Sequence, residues 1–294
     1  MSLNINLSDS CVIPKTLYIV ATPIGHMEDI TIRALKVLNQ VDLIAAEDTR
    51  ETRKILKHYL IETPMIACHD HNEYQCAETI ITSLKNGKTI AVVSDAGTPT
   101  ISDPGYSVVS MVIKEGYSVI PIPGASAVLA SMCVSGLPTD SFVFQGFLPK
   151  KQGKRQKILK KLSVEEKTLV FYESPKRIVS LLEELITQFG DRPAMIGREL
   201  TKPYEECFRG LLSTIQNDIH KKNAIKGEFT LLVGGCKKKH TLDNDTLHQQ
   251  IANYMDDHND LPLSQNVKNM VKLLGVSRKI IYDIALKIKH SELK

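Results

Sequence analysis

The six cysteines (Cys11, Cys68, Cys76, Cys133, Cys207, Cys236) are scattered, and no two stand at CxxC spacing. That absence argues against a dithiol redox motif or a disulfide framework and predicts reduced thiols in a cytoplasmic protein. No stretch approaches the roughly 20 apolar residues of a membrane span. The opening MSLNINLSDSCVIPK lacks a basic region followed by an apolar core, so no signal peptide is expected. No GxGxxG follows the first apolar run, and no Walker A sequence occurs, which disfavours nicotinamide dehydrogenases and P-loop ATPases. No GxSxG nucleophile elbow, internal repeat or low-complexity segment occurs either. What is present is a globular composition, 43% hydrophobic and 24% charged over 294 residues, a length that suggests about two domains. Charge is uneven. Residues 1–120 hold 10 Lys+Arg against 14 Asp+Glu, whereas residues 121–294 hold 27 against 19, so the second half is the better face for a polyanion.

The first half alternates short β-branched runs with helical patterns. Strands are expected at 17–21, 41–46, 64–68, 89–93 and 117–122, each followed by a polar or small-residue loop and a helix. Five such alternations predict a parallel sheet with helices on its faces. The longest loop, SDAGTPTISDPG at 94–105, carries two Gly, two Pro, two Asp and four Ser/Thr. A strand that empties into such a loop is where open α/β sheets place ligands. Gly97 and Gly105 permit close approach, Pro99 and Pro104 stiffen the loop, and Ser102 or Asp103 could cap the next helix. Gly25 and the segment at 123–127 mark two similar junctions. Glu47, Asp48, Thr49 and Arg50 follow the second strand, either as site residues or as acids at a helix start. His69 and His71 lie near Cys68 and Cys76, but their spacing fits no common zinc pattern, so a polar loop with a helix cap is expected and no metal.

The second half is less regular and predicts a mixed sheet, with strands at 142–147, 168–172, 195–200, 207–211 and 229–233. A basic run (Lys150, Lys151, Lys154, Arg155, Lys157, Lys160, Lys161) falls on a loop and helix, as a solvated face or as a phosphate-contacting one. Ser174 before Pro175 reads as an N-cap followed by proline at the first helical position. Residues 1–14 read as a loose arm and 236–246 as a linker. The tail is helical, and Gly275 with Ser277 between two helical patterns suggests a helix-turn-helix, though a helical hairpin fits as well. The expected division is 1–122 and 123–236 as two α/β domains, with 246–294 as a helical tail. A nucleotide-like cofactor and a polyanionic substrate would suit this arrangement, but spacing alone does not name either.

Seven blocks carry a resemblance: LYIVATPIGHMEDI (17–30), AAEDTR (45–50), HNE (71–73), SDAGTPTISDPG (94–105), PIPGASA (121–127), FYESPKR (171–177) and KGEFT (226–230). Together they resemble the ribosomal RNA small subunit methyltransferase I family of the tetrapyrrole methylase superfamily. The likeness runs from about residue 17 to 235, and the one departure is His26-Met27, where that family usually has Asn-Leu. The resemblance implies a tetrapyrrole methylase-like α/β fold, with S-adenosyl-L-methionine in a cleft between two domains. It further implies 2′-O-methylation of a cytidine in the decoding region of 16S rRNA, free or in the small ribosomal subunit, by a homodimer. Cofactor contacts are expected from Gly25, Asp95, Gly97, Thr98, Ile101, Ser102, Pro123, Ser126, Phe171, Tyr172, Gly227 and Glu228. A ribose hydroxyl is a poor nucleophile, so a carboxylate or lysine is expected beside it. Strand-end position favours Glu47 or Glu173, with Lys176 adjacent, while Arg50, Arg177, Lys154 and Arg155 are expected to hold RNA phosphates. Two rival readings are a methyltransferase for a small tetrapyrrole and a non-enzymatic RNA-binding protein that uses the tail.

Overall fold

The computed structural model describes residues 11–222, 224–237, 244–274 and 276–291. The chain separates into two units, Met1–Cys236 and Lys237–Lys294. The first unit opens with β1 (Thr16–Val20), α1 (Ile32–Gln40), β2 (Leu43–Ala46), α2 (Thr49–His58), β3 (Met65–Ala67) and α3 (Glu73–Lys85). It continues with β4 (Ile90–Val93), α4 (Tyr106–Lys114), β5 (Ser118–Ile122) and α5 (Ala127–Ser135). The five strands form one sheet in the order β3-β2-β4-β1-β5, every pair parallel. Side chains alternate between two buried faces. Tyr18, Val20, Ile44, Ala46, Ala91 and Val93 pack with α1 and α2 residues. Leu17, Ala45, Ile90 and Val92 pack on the other side, with α3 and α4 residues. Burial on both faces is why these strands read as unbroken apolar runs.

Next come β6 (Phe142–Phe147), α6 (Gln152–Leu162), β7 (Thr168–Glu173), α7 (Ile178–Phe189), β8 (Pro193–Arg198), β9 (Glu206–Leu211), α8 (Leu212–His220) and β10 (Phe229–Val233). Their sheet has the order β6-β7-β10-β8-β9, with β6 and β7 parallel and the other pairs antiparallel. Helices α6, α7 and α8 cover one face through Leu159, Leu181, Leu185 and Ile215. The opposite face receives α5, whose Val128 and Met132 pack against Val170, Met195 and Leu232. An apolar helix that leaves the first sheet to pack on the second ties the two together.

Two expected caps are corrected by the structure. Helix α4 has Gly105 as its N-cap, not Ser102 or Asp103: the Glu73 carboxylate from α3 accepts hydrogen bonds from Gly105 N (2.7 Å) and Ser107 N (2.9 Å). A carboxylate there satisfies free N–H groups and complements the helix dipole. Helix α7 begins at Ile178, and Ser174 and Pro175 form a turn ahead of it, closed by Arg177 N donating to Ser174 O (3.0 Å). Strand β8 ends at Arg198 rather than 200, because Glu199 (φ 50°) and Thr201 (φ 65°) turn the chain away.

The second unit holds α9 (Asn244–Asp257), α10 (Leu263–Leu274) and α11 (Arg278–Ser291). They share a core of Leu247, Ile251, Val267, Met270, Ile281 and Ala285. Gly275 and most of the expected linker and N-terminal arm lie outside the described residues. No helix among the described residues is long and apolar enough to cross a membrane.

Candidate active site

Strand order reverses at the centre of the first sheet, where β1 and β4 lead to helices on opposite faces and their loops form a rim at the C-terminal ends of the strands. The two loops are clamped together there. Thr22 N donates to Gly97 O (2.8 Å), Gly97 N donates to Thr22 O (3.0 Å), and Thr22 Oγ1 donates to Ser94 O (3.2 Å). Facing this rim are the loops after β7 and β8 and the segment before β10. Between them lies a cavity of about 390 Å³, within the range of small-molecule sites.

Its walls come from both sheets. Ile24, Ile101, Phe147, Tyr172 and Leu200 supply apolar surface, and Gly97, Gly197 and Gly227 bring backbone to the wall. Gly227 sits at φ 96°, and a Cβ there would lie 2.5–2.7 Å from the Glu199 side chain. Only glycine keeps that wall open. Non-glycine residues adopt left-handed backbone on both rims: Thr100 (φ 73°) and Ser102 (φ 66°) on one side, Glu199 and Thr201 on the other. Such strain persists where surrounding structure holds it, typically at ligand sites. Thr98 Oγ1 anchors the first rim to Ala125 O (3.2 Å).

Carboxylates dominate the polar lining: Glu47, Asp95, Asp103, Glu173 and Glu228. They are not equivalent. Glu173 is 3% exposed and fully engaged. Its oxygens accept from Arg177 Nε and Arg177 Nη2, both at 2.7 Å, and from Ser174 N at 2.7 Å. Glu47 accepts from Asp95 N (3.2 Å) and Asp95 from Asp48 N (2.9 Å), and burial raises the pKa of both. Asp103 is pushed from 3.8 to about 6, first by burial and then by the Glu47 charge, against a hydrogen bond from Ser94. A carboxyl at that value switches charge near neutral pH, as a general base requires.

Of the residues expected from sequence, Glu47, Asp95, Gly97, Thr98, Ile101, Ser102, Ser126, Tyr172, Glu173, Gly227 and Glu228 line this one cavity. Others do not. The Phe171 side chain faces the other way, into the core of the second sheet, because neighbours on a strand alternate faces. Gly25 is pressed against the 200–202 loop; a Cβ on it would lie 2.5 Å from Lys202 Cγ and 2.6 Å from Thr201 Oγ1. Pro123 and Lys176 do not line the cavity, and Lys176 is exposed on the turn beside it. Arg50 is tied to Asp48 at the start of α2 (2.6 Å), and Arg155 to Glu184 on α7. Arg177 braces Glu173 and also donates to Leu148 O (3.0 Å), so it is not a free phosphate ligand. Lys154 is exposed on α6. Asp103 is the residue sequence reasoning assigned elsewhere. The signal available was a second acid in a loop already marked by its glycines and prolines.

A family model described as Tetrapyrrole (Corrin/Porphyrin) Methylases matches residues 16–216. Solved structures agree on the fold. Cobalt precorrin-4 methyltransferase, a cobalamin biosynthetic enzyme, superposes with a TM-score of 0.57 at 17% identity, over 75% of this chain and 95% of that one. Uroporphyrin-III C-methyl transferase from Thermus thermophilus, complexed with S-adenosyl homocysteine, gives 0.53 at 18% identity, over 74% and 97%. The fold is therefore that of the tetrapyrrole methylases. Curated relatives narrow the class. Ribosomal RNA small subunit methyltransferase I of Xylella fastidiosa is 44% identical over 92% of this chain and 98% of its own. The protein of that name in Escherichia coli O157:H7 is 42% identical over 92% and 94%, and that in Halalkalibacterium halodurans 49% over 76% and 77%. The chain belongs to the ribosomal RNA small subunit methyltransferase I family.

Proposed function

We infer that the protein is an enzyme that transfers a methyl group from S-adenosylmethionine to small-subunit ribosomal RNA, the acceptor being the ribose 2′-hydroxyl of a cytidine in the decoding region. The observation that carries this reading is the carboxylate-lined cavity between the two sheets, in a chain whose relatives bear the methyltransferase name over nearly their whole length. The residues present suit the cofactor. Ile24, Ile101, Leu200 and Tyr172 offer apolar surface to a purine, Gly97 and Gly227 let backbone groups reach it, and Glu47, Asp95, Asp103 and Glu228 attract its cationic centres.

When bound, S-adenosylmethionine supplies a methyl electrophile on a sulfonium, for in-line attack by the acceptor oxygen. The protein supplies position, exclusion of water and a base. Asp103 is the group best suited to take the hydroxyl proton: it reaches the cavity, has no cationic partner among the described residues, and is ionised at neutral pH yet basic for a carboxylate. Glu47, next to it in charge coupling, is the second candidate. Glu173, locked by Arg177, holds the β7–α7 turn against the cavity wall. A homodimer working in the cytoplasm, without a metal ion, completes the reading.

The test offers labelled S-adenosylmethionine and small subunits from cells lacking this protein. Label is expected in the RNA, within an alkali-resistant dinucleotide, since a methylated 2′-oxygen cannot attack its own phosphate. Cofactor binding without transfer to RNA, but with transfer to a tetrapyrrole, would overturn the acceptor.

A further inference from the structure

Helix α6 starts five residues after Phe147, which lines the cavity. Lys150 and Lys151 stand between them, and Lys154, Lys157, Lys160 and Lys161 follow on the helix, all exposed. No ion pair to any of the six occurs among the described residues. The one arginine in the run behaves oppositely: Arg155 is bound to Glu184 and donates to Lys150 O (3.4 Å), fixing the helix and its entry turn. Ile158, Leu159 and Leu162 hold the inner face in the core. Lys154, Lys157 and Lys161 fall on one side at i, i+3 and i+7, a stripe about 10 Å long at 1.5 Å per residue. Lysines at a helix start, with no acid in the first turn, oppose the helix dipole. Local stability does not account for them.

The near end of the stripe meets an aromatic. Phe147 is 57% exposed at the cavity wall, and its ring is backed by Tyr172 (centroids 5.5 Å), which in turn packs on Phe144 (5.1 Å). Lys150 lies three residues on, within about 11 Å of chain. Arg177 donating to Leu148 O pins the segment between them beside the cavity. An exposed ring beside a run of unpaired cations is the arrangement that binds single-stranded nucleic acid, base on ring and phosphates on lysines.

We propose that Phe147 stacks a base at or next to the target nucleotide and that Lys150, Lys154, Lys157 and Lys161 carry the phosphates of the adjoining single strand away from the cavity. This rests on the RNA methyltransferase reading and adds a strand path to it.

The experiment uses the full chain. Transfer to small subunits, binding of an unstructured 12-nucleotide RNA and of a duplex of equal length, and S-adenosylmethionine affinity are measured for four proteins: wild type, the quadruple Lys→Gln variant at 150, 154, 157 and 161, Phe147→Ala and Phe147→Tyr. The quadruple variant is expected to lower the dependence of log affinity on log salt by about 3, at roughly 0.7 per contact on a single strand. Its KM for subunits is expected to rise tenfold or more, while cofactor affinity changes less than threefold. Phe147→Ala is expected to weaken single-strand binding by about 5- to 150-fold, and Phe147→Tyr to restore it. An unchanged salt slope would overturn the lysine path. Loss of cofactor affinity in Phe147→Ala equal to its loss of RNA affinity would overturn the stacking role, and duplex preferred over single strand would overturn both. Failure of the wild type to methylate subunits would instead sink the functional reading, with the RNA-binding arm still deciding the surface.

Discussion

Asp103→Asn should stabilise the protein while lowering its activity about 100-fold or more. Burial and neighbouring carboxylates move the Asp103 carboxyl from 3.8 to about 6. At 1.36 kcal/mol per pH unit that displacement corresponds to roughly 3 kcal/mol, and partial exposure to solvent reduces it to about 1–2 kcal/mol. The folded state holds the proton more tightly than the unfolded chain, so this contribution is fully present below pH 4 and is lost as pH rises through about 6. The Asn variant has no such proton. Its advantage over wild type should be near zero at pH 4, grow between pH 4 and pH 6, and level off at about 1–2 kcal/mol above pH 7. Glu47 and Asp95 are also raised by burial in the same cavity, and removing one charge relieves them too. Urea unfolding followed at several pH values measures the difference directly. In parallel, wild-type kcat/KM should fall tenfold per pH unit below about 6, and the variant should lose 100-fold or more. A stability difference that does not change with pH would refute the electrostatics, and an Asn variant with near-normal turnover would refute the base assignment.

Arg177→Met should cost about 3–5 kcal/mol by leaving the Glu173 carboxylate buried and unpaired, and adding Glu173→Gln should recover most of it in urea midpoints. Gly227→Ala combines a φ of 96° with a Cβ 2.5 Å from Glu199; calorimetry should show S-adenosylmethionine binding weakened tenfold or more, with a stability loss of about 1–3 kcal/mol. Glu73→Gln removes the charged cap from α4 and should cost about 1 kcal/mol, with faster hydrogen exchange at Gly105 and Ser107.

Local pattern was enough to place nearly every strand and helix. The first sheet is buried on both faces, so its strands had to be short apolar runs, and each ended in a loop whose small residues were visible in the chain. The loop at 94–105 announced a ligand site for the same reason. Chain order alone could not say that β1 would lie between β4 and β5, because strand order depends on which helices cover which face. It could not choose between Phe171 and Tyr172. A two-residue period says that one faces the cavity and the other the core, and only the packing of α7 and α8 against the second sheet decides which.

The carboxylates make the same division more sharply. Sequence determined that acids would stand at the ends of β2, β4 and β7, since polar residues directly after a buried strand have nowhere else to go. Their roles were set by partners distant in the chain or across a turn. Glu73 caps a helix through Gly105, 32 residues later in the chain, which leaves Asp103 without the capping role its position suggests. Glu173 meets Arg177 and becomes a brace. A carboxylate's chemistry is fixed by its burial and by the nearest charge, and both are properties of the folded chain.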